Sequence, residues 1–260
     1  MSWIYELLAG IGVGLVGGVT SGFMGTSPGG GLVIFSVLLL GAEQHVAQGT
    51  SLITQVPPTG FAGVRRYWQS GNRSPLQWIV WIGIGFLVGG AGGGYAAAGV
   101  SDAVLQWTYV VYLALLIAAL LLRRDRKDGA GEAGDPVELP WLPLFLIGAL
   151  AGFSSGFMGI GGGLAITVGL AAGLRVPQHQ AQLVSLVFSV IPTNIPAAWI
   201  YWSKGLMVGW PAVIGIVAGL WVGTDLGARM ANGVSKSVLR LVMIALVSLM
   251  ALYMTYKALS

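Results

Sequence analysis

The chain has 260 residues, of which 55% are hydrophobic and only 8% are charged, with a formal net charge of +4 and a mean hydropathy of +0.81. Soluble domains carry about 25% charged residues, so this composition excludes a water-soluble globular protein. The sequence has no cysteine, which excludes disulfides, thiolate metal sites and cysteine nucleophiles.

The first half of the chain is predicted to form five apolar helical segments. The second is short for a membrane crossing, which takes about 20 residues. Pro57 and Pro58 interrupt the third, and the glycine run at 92–94 favours a looser fourth segment. The segments lie near residues 4–24, 31–41, 46–69, 75–98 and 103–122.

A hydrophilic stretch at residues 125–138 then interrupts the apolar pattern. Its charged and small residues predict a solvated linker on the cytoplasmic side. The linker separates a first repeat, residues 1–124, from a second, residues 139–260, and the two repeats together are predicted to form one transmembrane domain.

The second half repeats the first. The pattern QHxAQxxSL begins at Gln44 and again at Gln178, an offset of 134 positions. The phrase SGFMGTSPGGGL, from Ser21, returns as SGFMGIGGGL, from Ser155, and is two residues shorter. We therefore predict an all-α polytopic membrane protein of two homologous repeats, with about eight to ten membrane segments. The segments of the second half lie near residues 140–158, 163–174, 180–202, 208–230 and 236–256.

Lysine and arginine favour opposite orientations for the two repeats, because cytoplasmic loops are enriched in both residues. With the linker inside, inverted repeats leave only Lys204 and Lys257 of the 13 basic residues outside, whereas parallel repeats leave four outside. If the short second segments are re-entrant, this argument weakens. We predict inverted repeats in the bacterial cell membrane, and no basic patch for nucleic acid.

The short and broken helices predict a central binding site. Irregular backbone at membrane depth is tolerated where it lines a cavity, and paired breaks in two repeats mark the substrate site of many secondary transporters. Helix N-termini that start inside the membrane suit an anion, and glycine lets the backbone approach it. The predicted substrate-binding residues are Thr26, Ser27, Gly29, Gly30, Gly31, Thr50, Ser51, Gln55, Thr59, Gly161, Gly162, Gly163, Ser185, Ser189, Thr193 and Asn194.

Helix packing is the alternative interpretation of many of these residues. Glycines four positions apart form close helix–helix contacts, and small polar side chains form hydrogen bonds between helices. The polar face shared by Gln48, Ser51 and Gln55 fits either a site lining or such bonds. Packing is the preferred interpretation for Gly85, Gly89 and Gly93, and for Gly219, Gly223 and Gly227.

A few ionisable residues lie in or beside the apolar segments. His45 and His179 begin the third segment of each half, where they cap the helix or bind a coupling proton. Asp225 has Arg229 four positions later, which predicts a salt bridge within one helix. Asp102 lies at a segment end and is expected in solvent.

The chain carries no motif of an enzyme. It has no Walker loop, no HExxH and no GxSxG elbow, so we expect neither catalysis nor a cofactor or metal site. With no nucleotide site, any pumping would draw on the gradient of the substrate, of protons or of sodium.

The two glycine-rich phrases GTSPGGG and GIGGG, each followed by a short helix and then by AQGTSL or AQLVSL, resemble those of the sulfite exporter TauE/SafE family of membrane permeases. The resemblance covers nearly the whole chain and implies transport of small sulfur-containing anions, such as sulfite, sulfoacetate or another organosulfonate. We predict a secondary transporter that works by alternating access in the lipid bilayer. An ion-coupled transporter of another small anion or of a metal cation, or a channel, is the alternative. The longer first phrase predicts an anion bound asymmetrically, with Thr26 and Ser27 near one end.

Overall fold

The computed structural model describes residues 3–24, 27–58, 64, 74–122 and 139–232, and residues 241, 244–245, 248–249 and 251–256 near the C-terminus. The predicted linker, Thr26 and Thr59 lie outside these ranges. The described residues form helices and connecting loops, without a strand. The helices are α1 (Trp3–Met24), α2 (Gly29–Leu39), α3 (Gln44–Thr54), α4 (Leu76–Ala97), α5 (Asp102–Leu122), α6 (Trp141–Met158), α7 (Gly163–Val168), α8 (Gln178–Val187), α9 (Ile195–Ser203) and α10 (Trp210–Asn232).

Four of these helices, α1, α4, α6 and α10, are long and apolar enough to cross a membrane. Their surfaces carry many exposed large apolar side chains, as lipid-facing helices do. The prediction of an all-α, multi-pass integral membrane protein is therefore confirmed. The inverted orientation of the repeats stays a prediction.

Short helices occupy the positions where the sequence predicts interruptions. Helix α7 runs directly into one π-helical turn, Gly169–Gly173. The third segment of the second half is split, since α8 ends at Val187 and α9 begins at Ile195. Pro192 lies in this break and Pro196 in the first turn of α9, where a missing N–H is tolerated. The expected loosening of the fourth segment is wrong, because α4 is continuous through its glycine run.

Two seams of glycine join the halves. A Cβ atom added to Gly85, Gly89 or Gly93 of α4 would fall on a carbonyl oxygen of α6, at Phe145, Ala149 and Phe153 respectively. The contacts advance together along the two helices, so α4 and α6 run in the same direction. Helices α1 and α10 pack in the same way through Gly10, Gly14 and Gly18 on one side and Gly215, Gly219 and Gly223 on the other. The packing interpretation is confirmed for Gly85, Gly89 and Gly93 and for Gly219 and Gly223, and it stays a prediction for Gly227.

At the glycine-rich phrases, the structure aligns the two repeats differently from the sequence, which suggested a two-residue insertion in the first phrase. Helix α2 begins at Gly29 and α7 at Gly163, again 134 positions apart, so the offset is constant and no insertion is needed. The left-handed turns at Gly41 (φ 62°) and Arg175 (φ 56°) obey the same offset. Ser27 and Pro28 therefore correspond to Gly161 and Gly162, and the halves differ by substitution there.

The charged pair of α10 forms as predicted. The Arg229 guanidinium lies 2.6 Å from the Asp225 carboxylate, one helical turn away, and both side chains are largely exposed. An exposed pair of this kind contributes little to stability. The salt bridge that the sequence predicts within this helix is therefore present.

Candidate functional site

The two glycine-rich phrases meet at the centre of the molecule. The first residue of α2, Gly29, lies so close to the backbone of Ile160 that a Cβ atom would overlap it. Gly159 ends α6 in a left-handed conformation (φ 70°) and packs against the backbone of Gln48. These contacts require glycine for both its size and its backbone freedom.

A pocket opens beside this crossing point. Among the described residues that line it, none has a charged side chain. Both halves contribute to the lining, which consists of Ser27, Pro28, Gln55, Phe86, Gly161, Gly162, Gly163, Ser185, Phe188, Ser189 and Asn194.

A directed chain of hydrogen bonds leads from the pocket to the crossing point. The Ser27 hydroxyl donates to Gln55 Oε1 (2.9 Å), and Gln55 Nε2 donates to Ser51 Oγ (3.0 Å). The Ser51 hydroxyl in turn donates to the carbonyl of Gly159 (2.7 Å) and lies 3.3 Å from that of Gly29. The single hydroxyl hydrogen of Ser27 is thus committed to Gln55.

Asn194 and Ser189, both in the second half, have hydrogen-bond donors that are available to a ligand. The Ser155 hydroxyl donates to Asn194 Oδ1 (3.1 Å). The other end of this amide, the Nδ2 group, makes no hydrogen bond in the described part of the chain. Asn194 is only 8% exposed and lines the pocket. The Ser189 hydroxyl is likewise uncommitted among the described residues, whereas the Ser185 hydroxyl donates to the carbonyl of Gly163 (2.8 Å).

Ser51 and Ser185 occupy corresponding positions in the two repeats, and they share one backbone contact but not a second. Ser51 reaches the carbonyl of Gly29, and Ser185 reaches that of Gly163, at positions related by the constant offset. Ser51 is fully buried and also binds Gly159, whereas Ser185 is partly exposed to the pocket. Of these two serines, only Ser185 therefore borders the pocket.

The structure brings together half of the predicted site residues. Ser27, Gln55, Ser185, Ser189, Asn194 and the glycines at 161–163 line the pocket. Thr50 and Ser51 instead make bonds between the halves, and the Thr193 hydroxyl is buried outside the lining, without a partner among the described residues. Gly29, Gly30 and Gly31 form the first turn of α2 and pack against Ile160, Tyr109 and Thr20. Thr26 and Thr59 lie outside the described residues.

The polar face of α3 joins the halves. The Tyr201 hydroxyl donates to Gln48 Oε1 (3.1 Å), and the Val208 N–H donates to Thr50 Oγ1 (3.0 Å). With the Ser51–Gly159 bond, these contacts connect α3 to three segments of the second half. Here the structure shows the interhelical bonding that the sequence left as one of two interpretations.

The aromatic part of the lining was not predicted. Phe86 lies on α4, and Phe188 directly follows α8. At the constant offset the first corresponds to Leu220 and the second to Thr54, so neither belongs to the repeated pattern. A search for aromatic residues that break the repeat would have selected both.

His45 has a specific environment at the start of α3. Its Nδ1 lies 2.5 Å from Asp102 Oδ1, and its Nε2 lies 2.9 Å from the carbonyl of Ala97. The Asp102 carboxylate also accepts the His45 backbone N–H (3.1 Å), while 38% of its side chain stays exposed, as expected at a segment end. The residue that corresponds to Asp102 in the second half is Lys236, and the side chain of His179 lies outside the described part.

Comparisons with known proteins agree with this architecture. The sequence profile of the family "Sulfite exporter TauE/SafE" matches residues 10–254. The chain is 25% identical over 230 residues to "Probable membrane transporter protein YdhB" of Bacillus subtilis (strain 168), covering 86% of this chain and 89% of that protein. It is 26% identical over 268 residues to a "Probable membrane transporter protein" of Xylella fastidiosa (strain 9a5c), covering 98% and 97%. No solved structure shows a significant match.

Proposed function

Because the chain belongs to the sulfite exporter TauE/SafE family, we propose that it is a secondary transporter of a small sulfur-containing anion. The substrate is sulfite, sulfoacetate or another organosulfonate, and it crosses the bilayer by alternating access. The anion binds at the interface of the two repeats, residues 1–124 and 139–260, where helix N-termini and polar side chains meet.

The observation that supports this proposal most strongly is the environment of Asn194. Its amide is more than nine-tenths buried, it lines the central pocket, and its Nδ2 hydrogens are uncommitted in the described part of the chain. A side-chain amide that lines the pocket and keeps its N–H groups free of protein partners is available to bind an acceptor oxygen of a ligand. Ser189 supplies a further hydroxyl donor, and the glycine loop at 161–163 brings backbone to the same lining.

The chemistry of the lining suits reversible binding of an anion. The pocket offers hydroxyl, amide and backbone donors, and its described lining residues carry no carboxylate that would repel a negative charge. Neutral donors also avoid the strong attraction of a desolvated lysine or arginine, so release does not require breaking a buried ion pair. Both halves contribute to the lining, so a relative movement of the halves changes access to the site.

The proposal is tested by binding and transport with purified protein. We expect sulfite or a short sulfonate, at about 100 times its Kd, to raise the unfolding midpoint by about 5 °C or more, since ligand at that excess adds about 2.7 kcal/mol. Asn194→Ala should weaken binding about tenfold, as expected for the loss of one hydrogen bond to a charged ligand. Ser154→Ala is the matched control, because its hydroxyl is exposed and bonds within its own helix.

Transport into proteoliposomes decides between this proposal and its alternatives. Uptake of sulfur anions that depends on Asn194 supports the proposal. Stabilisation by divalent cations or by sodium alone, with no response to any sulfur anion, would contradict it and favour a cation transporter.

We also propose that His45 binds the coupling proton. Both ring nitrogens face acceptors, the Asp102 carboxylate and the Ala97 carbonyl, and only the doubly protonated ring donates to both. Asp102 is the titratable side chain in contact with His45 among the described residues. Protonation therefore changes the bonds that connect the start of α3 to the α4–α5 turn.

Substrate uptake driven by an imposed proton gradient tests this role of His45. We expect the wild type to accumulate the anion several-fold when an inward proton gradient is imposed, and His45→Gln to keep only equilibration of the substrate. Glutamine retains hydrogen bonding but cannot take up the proton. Gradient-driven accumulation that survives in His45→Gln would assign His45 a purely structural role.

A further inference from the structure

We infer that Phe86 and Phe188 form an apolar selectivity wall, and that the preferred substrate is a singly charged sulfonate with one short alkyl substituent. This inference rests on the proposed function, and it narrows the substrate class of the same site. It also assigns a role in specificity to two residues that lie outside the repeated pattern.

The two phenyl rings stack across the wall of the pocket. Their centroids are 6.0 Å apart and their planes differ by 14°. Both phenylalanines are almost fully buried, and both belong to the pocket lining. A Cβ atom at Gly162 would overlap the Phe86 ring, which shows how closely the glycine loop lies against the wall.

The donors line the same pocket as the rings. Ser189 directly follows Phe188 in the chain, and Asn194 lies in the break before α9. Aromatic C–H groups do not replace the water that hydrates an anionic oxygen, so an oxygen turned towards the wall is desolvated without compensation. A molecule with oxygens at one end and an alkyl group at the other can accept hydrogen bonds from the donors and bury its alkyl group against the rings.

This arrangement disfavours two other kinds of sulfur anion. Inorganic sulfite has no apolar group to bury against the rings. A sulfonate with a second ionised group, such as sulfoacetate, would place that group in a pocket whose described lining has no charged partner for it. Methanesulfonate and ethanesulfonate carry one charge and one apolar substituent.

The repeat indicates which substitutions the fold tolerates. Phe86 corresponds to Leu220 and Phe188 to Thr54, and both of these residues are fully buried. The substitutions Phe86→Leu and Phe188→Thr therefore introduce residues that the same architecture already accommodates. Phe153→Leu is the matched control, because Phe153 stacks on Phe157 in a similar way (5.8 Å, 12°) outside the pocket lining.

The test is equilibrium binding of ethanesulfonate, methanesulfonate, sulfoacetate and sulfite to the full-length protein in one detergent. We expect the wild type to bind ethanesulfonate at least tenfold more tightly than sulfite, in line with the discrimination that one or two methylene groups give in an apolar pocket. Phe86→Leu should reduce this ratio several-fold by lowering the affinity for ethanesulfonate. Phe188→Thr should abolish it, and Phe153→Leu should leave it unchanged.

The outcomes separate this inference from the function on which it rests. Equal affinities for sulfite and ethanesulfonate, or a ratio that neither phenylalanine substitution changes, would overturn the selectivity wall and leave a sulfur-anion transporter in place. Tighter binding of sulfoacetate than of ethanesulfonate would also overturn it. Binding of none of the four anions would overturn the proposed function together with the inference. Sulfite binding that is retained in Phe86→Leu and Phe188→Thr shows that the variants are folded.

Discussion

Replacing Gly89 by alanine is expected to lower the free energy of unfolding by about 3 kcal/mol, the upper part of the range for overpacking a tight interface. The added Cβ atom would fall on the carbonyl oxygen of Ala149, and two more backbone atoms of that residue lie within 2.9 Å. Backbone atoms cannot rotate away as a side chain does, so α4 and α6 must separate along the seam. The loss is large because this seam is one of the two that join the halves.

Gly92→Ala is the matched control on the same helix. A Cβ atom there meets nothing within 4 Å, and alanine is the better helix former by up to about 1 kcal/mol. We expect unchanged or slightly raised stability. The measurement is the thermal unfolding midpoint of both variants in one detergent. Equal midpoints for the two variants would contradict the seam as the main contact between the halves.

Gly161→Ala is expected to reduce anion uptake at least tenfold while the protein remains folded. The new Cβ atom would overlap the Ser27 hydroxyl and lie 2.8 Å from Gln55 Oε1, so the Ser27–Gln55 hydrogen bond cannot persist. The loop would then move away from the lining of the pocket. An error of about 1 Å in the position of a binding group can cost two orders of magnitude in rate.

Gly205→Ala separates backbone strain from the effect on the site. Gly205 has nearly the same left-handed backbone, with φ of 69° against 75° at Gly161, but a Cβ atom there meets nothing within 4 Å. Both variants therefore bear a strain of about 1–2 kcal/mol, and only one disturbs the pocket. Uptake per folded molecule should stay at the wild-type level in Gly205→Ala. A similar loss of uptake in both would show that strain alone is responsible.

The sequence determined the general architecture of this protein and most of the described lining of its candidate site. Composition requires a membrane protein, because so few charged residues cannot cover a surface in water. Glycine and proline act locally, so their positions predicted the short helix α2, the break before α9 and the glycine loop at 161–163 that lines the pocket. Glycines spaced by four predicted the seams for a similar reason, since one helix turn brings them onto one face.

Only the tertiary structure decided which polar residues face the pocket and which join the halves. Ser51 and Ser185 occupy corresponding positions, yet the first is fully buried against Gly159 and the second borders the pocket. Hydroxyl groups have the same chemistry in both roles, and the partner is set by a segment more than 100 residues away in the chain. The aromatic wall formed by Phe86 and Phe188 likewise depends on the packing of separate helices. Local sequence carries no information about which distant side chains complete a cavity.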